Sequence, residues 1–287
     1  MHKKPWISFS EQRERLQKRG LSIDDNEVAE KILSTHNYYY ITGYLHSYKM
    51  PNGCYRAGVC LSDIYDAMET DRRLRMILSY VIDGIERHLK VSIAYCIGKH
   101  YVDDDLVYLP ASKDYKSTSC QTNVFLGFFR RAVHNNERLP FVSHYMKKHG
   151  GVFPIWVAVE ILTLGNLENL FCILAKEVKR DIADTFGIEA EILKQWLGCL
   201  RVFRNTLAHS GRLHNFNFRV LPKQCSRWEA EQTHKVFDYI YMCKFMVADP
   251  DEWNRFVIQA VRGILNKRKV DLAAYGFGDN WESLLRW

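Results

Sequence analysis

Between residues 202 and 212 the chain reads VFRNTLAHSGR, and this short run holds Arg204, Asn205, His209 and Arg212. Imidazole titrates near neutrality, so His209 can take or give a proton, whereas a guanidinium keeps its charge and forks onto two phosphate oxygens. Asn205 can orient either group by hydrogen bonding, and Arg212 can hold a neighbouring phosphate. RNA carries its own nucleophile, the 2′-hydroxyl, so cutting it needs proton transfer and charge stabilisation at phosphorus. This set suits that chemistry without a metal or any other cofactor. A structural reading stands beside it, because cations near a helix C-terminus are favoured by the helix dipole and cap carbonyls. Residues five apart on an ideal helix point about 140° apart. Arg204 and His209 therefore converge only if the helix ends beside them, and Gly211 suits the left-handed position just past such an end.

The elements that must position these groups read as helices. Seven prolines and sixteen glycines punctuate the 287 residues, and apolar residues recur between them at three- and four-residue spacing. Ile64, Met68, Leu74, Ile77, Leu78, Val81, Ile85, Leu89 and Ile93 form a stripe along one or two helices within residues 61–101. A loop is expected over 102–123, then shorter helices in VFLGFFRRAVHNN and VSHYMKKHG. The apolar run from Phe153 to Leu164 predicts a helix opened by Pro154 and broken at Gly165, with another following. Residues 189–211 predict the helix that carries the motif, and two further helical stretches follow Asp249-Pro250-Asp251 and precede it. The expected fold is all-α, with an N-terminal aromatic-rich module (1–58) packed on the body, a helical domain (59–248) and a C-terminal helical extension (249–287).

The resemblance to known proteins extends beyond the motif. RNTLAH resembles the Arg-x4-His signature of HEPN domains, helical proteins many of which are ribonucleases. In context, RNTLAHSGRLHN resembles the RNxxAHxxRLxN stretch of the Abi-like family, the AbiD/AbiF abortive-infection proteins of bacteria. NYYYITGY (37–44), YDAMETDRRLR (65–75), IERHLK (85–90) and PIWVAVEILTLGNL (154–167) resemble further blocks of that family in the same order. Arg204, Asn205, His209, Arg212 and Asn215 match; Tyr40 and Lys90 stand where arginine is usual, Ser210 where a second histidine is frequent, and His214 where a tryptophan is usual. The resemblance implies a HEPN-like bundle and a metal-independent endoribonuclease of antiphage defence, leaving a 2′,3′-cyclic phosphate. Arg204, Asn205 and His209 would be catalytic, with Arg212 and Asn215 on RNA. It also implies a homodimer with a composite site, and restraint by a regulatory noncoding RNA or antitoxin. The rival reading is a non-catalytic module that grips a structured RNA; a protein-interaction scaffold is a third.

Secondary candidates each carry two readings. Asp71, Arg75 and Glu86 should lie near the motif; Asp71 and Arg75 are spaced as an intrahelical ion pair, and Glu86 can act behind Arg204 or His209. Arg138 and His144 repeat an arginine-histidine string, but Pro140 interrupts it. Glu160 on an apolar face calls for a partner. Tyr38, Tyr39, Tyr40 and Tyr44 can stack on unpaired bases or pack on the body. Lys147, Lys148, Arg130, Arg131 and the run 266–269 can meet phosphates or simply be solvated.

Composition sets the outer limits. The formal charge of +7 favours an anionic partner only weakly. Eight scattered cysteines lack metal-ligand spacing and predict neither disulfides nor structural zinc. No signal pattern or long apolar segment stands in the sequence, which predicts a cytoplasmic protein away from membranes.

Overall fold

The structure, a computed structural model, describes residues 5–101, 120–267 and 270–287. Most of the expected loop over 102–123 lies outside these residues, as do Arg268 and Lys269 of the basic run. Among the described residues the fold is all-α, as expected, with two isolated β-bridges and no strand.

Local chemistry sets the helix starts. Ser8 and Glu11 cap each other reciprocally before α1 (Phe9–Lys18). The Asp25 side chain accepts from the Glu27 and Val28 N–H groups before α2 (Asn26–Thr35), and Asn37 accepts from the Tyr39 N–H before α3 (Tyr38–Tyr44). These helices share an apolar cluster, including Leu16, Leu33, Ile41 and Tyr44, which closes over Leu61, Ile64 and Met68.

Those last three residues open α4 (Leu61–His100), a single helix of 40 residues where one or two were expected. At 1.5 Å per residue it runs about 60 Å and forms the spine of the molecule. From Leu74 onward its stripe enters the main core. Around it stand α5 (Cys120–Asn135), α6 (Pro140–Lys148), α7 (Ile155–Ala158), α8 (Leu164–Ile173), α9 (Lys176–Asp184) and α10 (Ala190–Ala208). Residues 120–123, expected in the loop, already belong to α5, because the polar Gln, Thr and Asn there are tolerated in a first turn.

The break expected at Gly165 falls earlier, at Leu162 and Thr163. Thr163 takes the Asn166 N–H on its hydroxyl while Asn166 caps back, so Gly165 lies inside the first turn of α8. The absent side chain there admits Arg201, whose Cδ would stand 3.1 Å from a Cβ. The chain continues through α11 (Val236–Lys244) and α12 (Pro250–Glu252), the latter capped by Asp249. A π-helical turn, α13 (Ile258–Asn266), a 3-10 turn (Leu272–Tyr275) and α14 (Trp281–Leu285) complete it. Helix α4 touches α7, α8, α9, α10, α11 and α13. No helix among the described residues is long and apolar enough to cross a membrane.

Candidate active site

Helix α10 buries Leu193, Trp196, Leu200, Phe203 and Leu207 against the core, which leaves Arg201, Arg204, Asn205 and Ala208 on its exposed face. The helix ends at His209, whose N–H donates to the Asn205 carbonyl at 3.0 Å. The left-handed residue is Ser210, with φ 55°, and not Gly211 as expected. Gly211 serves a different need. Its N–H donates to the Thr206 carbonyl at 2.7 Å, and a Cβ would stand 2.6 Å from Thr206 Cγ2. The chain can fold back this tightly only without a side chain at 211.

Arg204, Asn205 and His209 are all exposed at this end of α10. Arg204 Nη1 donates to Asn205 Oδ1 at 3.4 Å, and among the described residues no hydrogen bond holds the His209 ring. Half-buried Glu86 on α4 lies within the field of Arg204 and has Lys90 Nζ 3.9 Å away. Burial raises the Glu86 carboxyl above its usual range, against the pull of Lys90 and Arg204. Glu86 therefore couples to the exposed cluster electrostatically rather than by direct contact. A guanidinium, a neighbouring amide and an imidazole facing solvent make a surface on which a phosphodiester can be gripped and a proton moved.

The second half of the motif turns inward. Asp71, fully buried on α4, accepts from the N–H of Leu213 at 2.6 Å, that of His214 at 3.1 Å and the Tyr44 hydroxyl at 2.7 Å. Burial raises its carboxyl, while these donors and the Tyr275 hydroxyl oppose the rise. Arg75, one turn along, lies 3.9 Å from Asp71 and donates to the Gly211 carbonyl at 3.2 Å. The expected i,i+4 pair exists, and it also clamps the turn after His209. Arg212 donates from Nη1 to the Gly43 carbonyl, tying the turn to α3. Asn215 is left-handed, with φ 49°, and its N–H donates to the Ala274 carbonyl at 2.9 Å.

His214, where the family-like pattern has tryptophan, is 4% exposed and fills an aromatic slot. It stacks on Tyr44 and Tyr48 with ring centroids 6.3 and 6.4 Å away and meets Tyr275 edge-on at 5.5 Å. Burial first, then the Arg212 charge, pushes its imidazole down to about 4, so the ring is neutral and aromatic near neutral pH.

The other candidates lie elsewhere or act otherwise. Arg138 precedes Pro140, which opens α6; His144 sits inside α6 with its ring 5.7 Å from Tyr145 and 5.3 Å from His149. Glu160 was expected to need a partner across a helix interface, but it is exposed in the middle of a 3-10 turn (Val159–Ile161), and its carbonyl accepts from Lys90 Nζ at 3.2 Å. Arg130, Arg131, Lys147 and Lys148 are exposed on α5 and α6. Of the tyrosines, Tyr44 is buried, Tyr38 and Tyr40 are half-buried and Tyr39 is exposed. No three His, Cys, Asp or Glu side chains among the described residues are grouped as a metal cluster requires.

Sequence reasoning missed Gly43, Tyr48, Ala274 and Tyr275, all of which touch the motif. Asp271 and Gly276 do signal the turn that carries Ala274 and Tyr275, through a capping side chain and a left-handed φ of 84°. Nothing local, however, says that this turn docks about 60 residues upstream.

A family model described as Abi-like protein matches residues 31–215, from α2 to the last motif asparagine. No curated protein and no solved structure matches the chain. With the matched stretch covering well over half of the residues, and with the blocks 37–44 and 65–75 meeting the turn after His209, the chain belongs to the Abi-like family.

Proposed function

We propose that the protein is a metal-independent endoribonuclease of the HEPN type, acting in bacterial abortive infection as a toxin that arrests its own host cell. The carrying observation is the sorting of one motif into two parts. Arg204, Asn205 and His209 face solvent, while Leu213 and His214 behind them are buried and, with Gly211, are held by Asp71 and Arg75 to brace that surface. His209 accepts the proton of the 2′-hydroxyl as its oxygen bonds to phosphorus. The bond from phosphorus to the 5′-oxygen breaks, and the imidazolium returns a proton to that leaving oxygen. Arg204 forks onto the non-bridging oxygens as their charge grows, and Asn205 holds Arg204 in place. The products are a 2′,3′-cyclic phosphate and a 5′-hydroxyl.

Because no hydrogen bond among the described residues fixes the His209 ring, we assign its orientation to a second copy of the chain meeting at this surface or to the RNA itself. The same observation favours the rival reading, a module that holds a structured RNA without cutting it. A toxin also requires restraint, which we assign to a regulatory RNA or a protein antitoxin. The deciding experiment incubates single-stranded RNA with purified protein in EDTA and identifies the product ends. Cyclic phosphate and 5′-hydroxyl ends formed in EDTA support the proposal; cleavage abolished by EDTA and restored by a divalent ion overturns the metal-free route.

A further inference from the structure

Beside the exposed cluster, an open groove of about 490 Å³ runs between α3 and the turn after His209. One wall is lined by Tyr39 and Tyr40 with the buried Tyr44 behind them; the other carries Phe216 and Arg212, and the groove reaches Ser210, the residue next to His209. No carboxylate lines it, and its permanent charge is a guanidinium. Tyr39 is 62% exposed at the mouth of this groove. It is nevertheless fixed at its base, because the Tyr39 N–H is the donor that Asn37 accepts at 2.8 Å. The Tyr40 hydroxyl lies 3.2 Å from that of Tyr44, and the two rings meet edge-on at 5.3 Å. Arg212 is anchored by one arm on the Gly43 carbonyl, which leaves its remaining donors at the border of the groove.

Rigid aromatic faces beside a cation are what an unpaired nucleotide needs: stacking for the base and charge for its phosphate. Tyrosine and arginine are enriched at protein interfaces too, but this groove adjoins the surface read as gripping a phosphodiester and has no carboxylate to repel one. We propose that this groove is a nucleobase subsite for single-stranded RNA, in which Tyr39 is the stacking platform and Arg212 meets the phosphate of the same nucleotide. The subsite rests on the reading that RNA is the ligand of the adjacent surface. It adds which RNA is accepted, namely a strand with an unpaired base next to the scissile phosphate.

The test is fluorescence anisotropy at low salt with a labelled single-stranded 2′-O-methyl oligoribonucleotide, which has no free hydroxyl to attack phosphorus. Tyr39→Ala is expected to weaken binding about tenfold and Tyr39→Phe by no more than about twofold, since stacking needs the ring and not the hydroxyl. Tyr95→Ala, which removes a ring 70% exposed on α4, should leave affinity unchanged. An oligonucleotide of abasic sugars should bind wild type and Tyr39→Ala alike. Equal binding of the base-bearing strand by wild type and Tyr39→Ala overturns the subsite while leaving RNA as the ligand of the neighbouring surface. Absence of any RNA binding by wild type overturns both.

Discussion

Residues 204–209 and 210–215 are adjacent in one motif and do opposite things. In the first half Arg204, Asn205 and His209 are exposed, and among the described residues a hydrogen bond from Arg204 to Asn205 is what links their side chains. The second half is held by Asp71, Arg75, Gly43 and Ala274, from three distant parts of the chain. Polar groups that the fold does not use are free for a ligand, whereas those it buries must be satisfied inside. A motif can thus be one string in sequence and two devices in space, a reactive surface and the brace that presents it.

Substitutions that break the brace should have the largest effects on stability. Asp71→Ala strands two buried backbone N–H groups and removes the carboxylate partner of the Tyr44 hydroxyl and of Arg75. It should cost about 3–5 kcal/mol in urea unfolding, and a loss below 1 kcal/mol would mean that the brace is dispensable.

His214 should make the brace sensitive to acid. Its folded value near 4 lies below the ordinary 6.5, so the unfolded chain binds the proton first. Its contribution is fully present above pH 6.5 and should fall by about 3 kcal/mol as pH drops toward 4. Burial raises Asp71 and Asp238, so both work in the opposite direction over the acid range. For that reason the useful quantity is the difference between wild type and His214→Phe, which keeps a ring in the slot. The variant should show a flatter stability profile between those pH values; parallel profiles would show that the histidine does not carry the acid response.

Gly211→Ala sharpens the comparison at the joint between the halves. The added methyl meets the Thr206 backbone oxygen at 2.8 Å as well as its side chain. The expected loss is about 1–3 kcal/mol, read as a lower urea midpoint. An unchanged midpoint would mean that the turn relaxes without disturbing α10.

Much of the fold was legible because helices announce themselves locally. The stripe on α4 and the apolar face of α10 recur at helical spacing, and Asp249 stands in sequence beside the turn it opens, whereas the cap at Thr163 lay hidden beside the more conspicuous Gly165. What was not legible is long-range. The placement of a left-handed residue at Ser210 rather than Gly211 follows from the close approach of Gly211 to Thr206, which forces the reversal one residue earlier. Glu160 sat in an apolar run, yet a 3-10 turn displaced it to the surface. For Asp71 and Arg75 the spacing revealed the pair but not the turn it clamps, because the donors of Leu213 and His214 lie about 140 residues on. Likewise, the exposed cluster could be identified by residue type, but its separation from Arg212 and Asn215 came only from the packing.

The most direct test of this division compares His209→Ala with wild type for RNA cleavage and urea stability on the same preparations. His209→Ala should lose cleavage by about 100-fold or more, while its unfolding free energy stays within about 0.5 kcal/mol of wild type. Equal cleavage by the two proteins, or a large stability loss accompanying the lost activity, would contradict the assignment of chemistry to the exposed half and support to the buried half.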